Sequence, residues 1–144
     1  MKYSIVMPHW ERAELLQHTL QSFAYHYADR SDWEVIVVED SKNRDNVRDV
    51  IAAFGHLPFM LVRTGLDDGY NPSPAFNAGV RSARGEYVVI TNPECLHFTN
   101  VLAQLDVEFG HHPGAYVVCA CESIKGSGDF ATPESFTYLH HMWY

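Results

Sequence analysis

Acidic and amide side chains follow three of the short apolar segments in this 144-residue chain. They occupy positions 8–12, 39–43 and 92–94, directly after the first, second and fourth segments. If these segments are parallel strands, their carboxyl ends meet at one edge of a sheet, which is where ligands bind in open α/β proteins. Carboxylates gathered there can accept hydrogen bonds from a ligand or hold a divalent cation. The convergence predicts a ligand site and is more informative than any single residue.

Glu94 carries the strongest individual signal. It follows Asn92 and Pro93, which end the apolar segment 87–90 abruptly. A lone carboxylate at the mouth of a sheet needs a partner such as a cation, and we predict that Glu94 contacts a metal or a ligand. His9 and His97 flank candidate positions, but a lone histidine is more often structural.

Other polar residues have alternative interpretations. Asp40 could bind a ligand or cap the following helix, a role that aspartate fills well. Glu39 faces the other side of its strand end and is expected to be solvated. Arg12 could pair with a neighbouring glutamate, Glu11 or Glu14, on the surface, which would contribute little.

The elements that must position these residues follow from hydrophobic periodicity. The predicted strands span 3–7, 34–38, 59–62, 87–90 and 115–120, and the predicted helices span 13–27, 45–54, 73–83 and 99–109. The first two strands are continuously apolar, which is typical of strands covered on both faces. Alternation of strands and helices predicts an α/β fold, a mostly parallel sheet flanked by helices in a three-layer sandwich.

Local signals refine this outline. Ser73 is expected to cap the third helix, with Pro74 at its first position. Cys119 and Cys121 lie in an apolar, strand-like segment where both side chains would share one face, which favours buried structural thiols over a metal site. Three cysteines without framework spacing indicate reduced thiols and a cytoplasmic location.

Composition excludes several functions. Hydrophobic residues make up 47% of the chain, enough for the core of one domain over 1–144. A net charge of -8 argues against a nucleic-acid partner. A small phosphate ligand remains compatible with this charge, because backbone N–H groups or a metal can hold phosphate locally. No apolar run approaches the roughly 20 residues needed to span a bilayer.

Four segments resemble, in order, motifs of the family 2 glycosyltransferases. Residues 4–12 read SIVMPHWER and are similar to the opening SIVIPTYNR of that family, and 34–41 read EVIVVEDS beside its EIIVVDDGS. Residues 75–87 resemble its ARNxGIxxAxGEY, and 92–94 stand where it usually shows Asp-x-Asp. The resemblance covers residues 3 to about 110. It implies the GT-A nucleotide-sugar-binding fold.

The resemblance also implies roles. Asp40 matches the carboxylate that accepts a hydrogen bond from the base, and the segment Pro8 to Trp10 matches the loop along base and ribose. Asn92 is expected near the ribose or a metal-bound water. Glu94 matches the last carboxylate of Asp-x-Asp, which holds Mn²⁺ or Mg²⁺ against the diphosphate. The nucleotide-binding set expected in full is Pro8, His9, Trp10, Arg12, Glu39, Asp40, Asn77 and Asn92, with Glu94 as the metal ligand.

Departures from the family pattern are informative. Asn92 and Pro93 leave Glu94 as the one carboxylate of the acidic signature, Phe76 stands where an arginine is common, and Glu11 replaces a usual asparagine. Family members continue past this length with an acceptor-binding half that carries the general base, so we expect a truncated domain that lacks that base.

The predicted function is therefore inverting, metal-assisted transfer of a sugar from a nucleoside-diphosphate sugar, most often a UDP-sugar, to an acceptor hydroxyl. The alternative is a non-catalytic nucleotide-binding or assembly module of the same fold. A phospho-receiver is disfavoured, because the third strand ends Leu61-Val62-Arg63-Thr64 without the required aspartate. A truncated sandwich would expose apolar surface, which predicts a homo-oligomer.

Overall fold

The structure, a computed structural model, describes residues 1–39, 43–65 and 71–121. The elements, in chain order, are β1 (Tyr3–His9), α1 (Ala13–His26), β2 (Trp33–Glu39), α2 (Val47–Ala53), β3 (Phe59–Arg63), α3 (Pro72–Ser82), β4 (Tyr87–Ile90) and α4 (Val101–His111). The four strands form one sheet in the order β3-β2-β1-β4, and every pairing is parallel. The predicted α/β fold with helices on both sheet faces is confirmed.

One face of the sheet packs against α1, α2 and α4. The core on this face joins apolar side chains of β1 and β2 to a stripe on α1, and its fully buried members include Ile5, Met7, Val35, Leu20 and Phe23. Strands β1 and β2 are buried along nearly their whole length, because each lies between two neighbours and is covered on both faces. The Tyr87 ring stacks on Phe109 at 4.0 Å, which docks α4 on β4.

The opposite face packs against α3. Val6, Ile36 and Val38 form its core with Ala75 of the helix. Gly79 lets α3 approach the sheet closely, since a Cβ atom there would lie 2.3 Å from Cγ1 of Val6. The resemblance places a glycine at this position, and helix–sheet packing explains why it is needed.

Three expectations are wrong in detail. Helix α3 begins at Pro72 rather than Ser73, because Asn71 is its cap and accepts a hydrogen bond from the Ser73 N–H at 3.1 Å. No strand forms at 115–120 within the described residues, since this segment pairs with no strand edge. Cys119 and Cys121 are exposed rather than buried for the same reason.

None of the helices in the described part of the chain combines the length and the apolar character that a membrane-crossing segment requires.

Candidate functional site

A cleft opens at the carboxyl ends of β1 and β4, where the strand order of the sheet reverses. Its lining residues in the described part of the chain are Pro8, His9, Trp10, Arg12, Asn71, Pro72, Ala75, Asn92, Pro93 and Glu94. Crevices at such reversal points are the usual ligand sites of open α/β sheets. Six of the nine predicted site residues line this cleft, although Arg12 and Asn92, the nearest residues of its two main segments, are 80 positions apart in the sequence.

Glu94 is held at the cleft by its neighbours. Pro93 is buried, and its carbonyl accepts a hydrogen bond from the Thr19 hydroxyl of α1 at 2.6 Å. The Cys95 N–H donates to the Asn92 carbonyl at 3.1 Å, closing a turn around Pro93. The backbone is therefore tied to α1, while the carboxylate of Glu94 stays 37% exposed in the cleft.

Arg12 faces Glu94 across the cleft. Its Nη1 lies 3.2 Å from Oε1 of Glu94, and this pair replaces the predicted pairing with Glu11 or Glu14. The backbone of Arg12 is fixed because its carbonyl accepts the Leu16 N–H at 2.9 Å. Its side chain is 47% exposed, which leaves the guanidinium accessible to a ligand.

The loop between β1 and α1 is fastened to the segment after β2. Glu11 adopts φ 50°, and its N–H donates to Oδ1 of Asn43 at 2.8 Å. The Asp45 carboxylate accepts a hydrogen bond from Nε2 of buried His9 at 2.9 Å and another from the Ala13 N–H at 2.8 Å. Asp45 therefore caps α1 and holds His9 in place. Sequence reasoning missed it because the pairing spans 36 residues and Asp45 was assigned to α2.

Glu39 is not solvated as expected, and it does not line the cleft. Its carboxylate is buried and binds Nε of Arg63 at 2.5 Å and Nδ2 of Asn43 at 3.1 Å. Burial by itself would raise the pKa of Glu39, but these two hydrogen bonds lower it below its ordinary value. Glu39 thus positions Asn43, which in turn holds the loop of Glu11.

Three further predicted positions have different outcomes. Asp40 lies outside the described residues. Asn77 is exposed on α3 and is not among the residues that line the cleft. His97 is buried against the Phe23 and Tyr27 rings and hydrogen-bonds the Tyr27 hydroxyl, so it is structural.

Family membership follows from the sequence as a whole. The sequence model described as Glycosyl transferase family 2 matches residues 4–144, almost the entire chain. The chain belongs to this family. No curated protein matches it by sequence.

Solved structures from several organisms have the same fold. S. aureus TarS 1-349 is 18% identical with a TM-score of 0.70, covering 83% of this chain and 39% of that one. The mannosyltransferase PcManGT from Pyrobaculum calidifontis, in complex with GDP-Man and Mn²⁺, is 24% identical with a TM-score of 0.65, covering 78% and 33%. M. tuberculosis glucosyl-3-phosphoglycerate synthase is 14% identical with a TM-score of 0.59, covering 78% and 41%. The chain thus spans about two fifths or less of the length of these solved structures.

The electrostatics of the cleft suit a phosphate ligand better than the net charge suggests. Helices α1 and α3 both begin at the cleft, at Ala13 and Pro72. Helix N-termini carry partial positive charge and favour bound anions. Arg12 adds a positive charge beside them, which its partner Glu94 offsets while the two are paired.

The donor set fits a cation that enters together with a diphosphate. Within the described residues no group of three histidine, cysteine or acidic side chains could hold a metal ion. Glu94 and the Asn92 amide supply oxygen donors at the cleft. Mg²⁺ is commonly held by one or two carboxylates plus substrate phosphates and waters, so a donor set of this size is compatible with such a cation.

Proposed function

We propose that the cleft binds the nucleoside diphosphate part of a sugar donor, and that the protein containing it transfers the sugar to an acceptor hydroxyl with inversion. One observation carries this proposal. Side chains predicted to hold a nucleotide converge from the end of β1 and the end of β4 into a single cleft of a family 2 glycosyltransferase. TarS has also been solved with UDP and with UDP-GlcNAc, which supports a UDP-sugar donor.

Some residues of the cleft contact the base and ribose in this proposal, and others contact the diphosphate. The segment Pro8 to Trp10 forms the wall along base and ribose, with His9 held by Asp45. Asp40 remains the proposed acceptor for a base N–H. Arg12 and the N-termini of α1 and α3 face the diphosphate, where positive charge stabilises negative charge that grows as the sugar leaves.

Glu94 and Asn92 would hold a divalent cation, Mn²⁺ or Mg²⁺, and PcManGT with its bound Mn²⁺ supports this assignment. When bound, such a cation supplies positive charge against the departing diphosphate. Pro93 contributes by fixing the backbone that aims Glu94, through the Thr19 hydrogen bond.

The general base belongs, in this proposal, to an acceptor-binding half that residues 1–144 do not supply. The isolated chain should therefore bind a nucleotide and transfer little sugar. A non-catalytic module of the same fold is the alternative, and it predicts binding without transfer even when the neighbouring half is present. Transfer assays on this chain and on a protein that carries both halves separate the two.

Self-association is also part of the proposal. The described residues Val88, Ile90, Tyr116 and Val118 expose apolar surface, with Ile90 57% and Tyr116 92% exposed. Light scattering should show a dimer or larger species, and a monomer at all concentrations would contradict this point.

Calorimetric titration tests the nucleotide site directly. UDP, GDP and dTDP should be titrated into the chain with and without Mn²⁺, alongside the matching monophosphates. We expect one diphosphate to bind more tightly than its monophosphate, and Mn²⁺ to tighten the diphosphate only. The Glu94→Ala variant should lose the Mn²⁺ effect. Absence of binding by all three diphosphates under both conditions would overturn the proposed function.

A further inference from the structure

The Arg12–Glu94 pair brings together the cleft's opposite charges. Among the described residues that line the cleft, Arg12 is the one basic side chain of the arginine or lysine type, and Glu94 is the one carboxylate. Their atoms Nη1 and Oε1 lie 3.2 Å apart, with both side chains more than a third exposed. An exposed pair of this kind contributes little to stability and is cheap to open. It can therefore exchange partners when a charged ligand arrives.

The backbone next to Arg12 and Glu94 is held by hydrogen bonds, whereas the two side chains can rotate. The Arg12 carbonyl is held by the Leu16 N–H, and the carbonyl before Glu94 is held by the Thr19 hydroxyl. Both anchors belong to α1, so the two backbones keep their separation. Opening the pair requires only side-chain rotation.

The charges of the two side chains determine which ligand each of them would bind. A diphosphate is attracted by Arg12 and repelled by Glu94, and while the two are paired these effects largely cancel. A divalent cation bound to Glu94 would remove the repulsion between Glu94 and the diphosphate. It would also release Arg12 from its ion pair with Glu94. The arginine that family members commonly place at position 76 is a phenylalanine here, and Phe76 packs partly buried against the core under α3. Among the described residues that line the cleft, Arg12 is left as the one guanidinium.

We propose that Arg12 and Glu94 exchange partners on donor binding: Glu94 passes from the guanidinium to the divalent cation, and Arg12 passes from Glu94 to the diphosphate. Arg12 is thereby a phosphate-binding residue of this site, and Glu94 restrains it in the empty cleft. This inference rests on the proposed nucleotide site and adds to it the exchange of partners between Arg12 and Glu94.

Two variants should act in opposite directions in metal-free buffer. Glu94→Gln removes the restraint and the repulsion, so the chosen nucleoside diphosphate should bind at least about 3-fold more tightly. Arg12→Gln removes a charge-assisted contact, so the same ligand should bind about 10-fold more weakly. The matching monophosphate reports on base and ribose contacts and should respond much less to either change.

Adding Mn²⁺ separates the two roles further. Wild-type protein and Arg12→Gln should both gain affinity for the diphosphate, whereas Glu94→Gln should not respond. Arg81→Gln and Glu86→Gln are matched controls, because both residues are exposed at the amino edge of the sheet, away from the cleft. Neither control should change the affinity for either nucleotide by more than about 2-fold.

The outcomes distinguish the inference from the proposed function. If wild-type protein binds no diphosphate, the proposed function fails and the inference with it. If the diphosphate binds but the two variants shift its affinity in the same direction, or Arg12→Gln leaves it unchanged, the partner exchange alone is wrong. Circular dichroism at matched temperature verifies that each variant is folded before titration.

Discussion

Asp45 and His9 are joined across 36 residues of sequence: Nε2 of the buried imidazole lies 2.9 Å and 3.0 Å from the two carboxylate oxygens. The same carboxylate accepts the Ala13 N–H at the start of α1. Burial alone would raise the pKa of Asp45, but the His9 and Asn43 hydrogen bonds lower it. One side chain thus holds the end of β1, the start of α1 and one wall of the cleft.

Replacing Asp45 with asparagine should weaken both attachments. The neutral amide cannot accept from His9 and Ala13 as strongly as a carboxylate, so we expect the free energy of unfolding to fall by about 1–2 kcal/mol. Urea denaturation at pH 7 measures this change. Asp29→Asn, at an exposed position, is the control and should stay within about 0.5 kcal/mol of wild type. Equal effects of the two substitutions would show that the Asp45 network is unimportant.

Gly79 should tolerate no side chain. A Cβ atom there would lie 2.3 Å from Cγ1 of Val6 and 2.8 Å from Cγ2 of Val38, both in the packed core. Overpacking of this kind costs about 1–3 kcal/mol, so Gly79→Ala should lower the midpoint of urea denaturation accordingly.

Gly110 provides the matched control for Gly79. It also lies in a helix, α4, but a Cβ atom there meets nothing within 4 Å. Alanine favours helix over glycine by up to about 1 kcal/mol, so Gly110→Ala should leave stability unchanged or raise it. A similar loss in both variants would contradict the close approach of α3 to the sheet.

The left-handed conformation of Glu11 predicts a stabilising substitution. Its φ of 50° is costly for a glutamate but is readily adopted by asparagine. Glu11→Asn should raise the free energy of unfolding by about 0.5–1 kcal/mol. Glu86 has no positive φ, so Glu86→Asn should give no such gain. Destabilisation by Glu11→Asn, measured in urea, would contradict the backbone conformation of this loop.

His97 should make the protein less stable in mild acid. Burial, with a smaller contribution from the nearby charge of His26, lowers the pKa of His97 to about 3. The unfolded chain takes up this proton near pH 6.5 whereas the folded protein does not, so stability falls as the pH drops from 6.5 toward 3. From pH 7 to pH 5 the loss from this group is about 2 kcal/mol.

The test of His97 compares how steeply the free energy of unfolding changes with pH in each variant, rather than the free energies themselves. His97→Gln cannot take up the proton, so its stability should lose most of the pH dependence between pH 7 and pH 5. A smaller pH dependence should remain because of His26, whose pKa is also lowered by burial. His111→Gln, at an exposed position, should keep the wild-type slope. An unchanged slope in His97→Gln would show that the imidazole titrates normally in the folded protein.

Sequence reasoning located the sheet because β1 and β2 are continuous apolar runs, and the period of each helix marks its buried face. It misplaced the start of α3 because Asn71-Pro72 and Ser73-Pro74 are equally good helix openings. Only the Asn71 side chain, which accepts from the Ser73 N–H, decides between them. The strand expected at 115–120 failed for another reason. Its residue types suit a strand, but a strand also needs a neighbouring edge, which periodicity does not report.

The sequence was enough to predict which segments form the site, but not which side chains contact one another. Pro8 and Trp10 lie at the carboxyl end of β1 and Glu94 follows β4, and parallel strands bring such ends together. The partners of Glu39 and Arg12 could not be predicted, because Arg63 and Glu94 lie 24 and 82 positions away. Long-range pairing of this kind depends on the packed structure rather than on local pattern.

The central claim is that a nucleoside diphosphate binds in the cleft between the ends of β1 and β4. Amide ¹H–¹⁵N spectra of the chain, recorded during titration with UDP and diamagnetic Mg²⁺, test this claim by location. We expect the largest shifts at residues 9–12 and at Asn92, Glu94 and Cys95, and little change at the amino edge of the sheet around Gly85. Shifts centred on that opposite edge, or spectra unchanged at saturating nucleotide, would contradict the account.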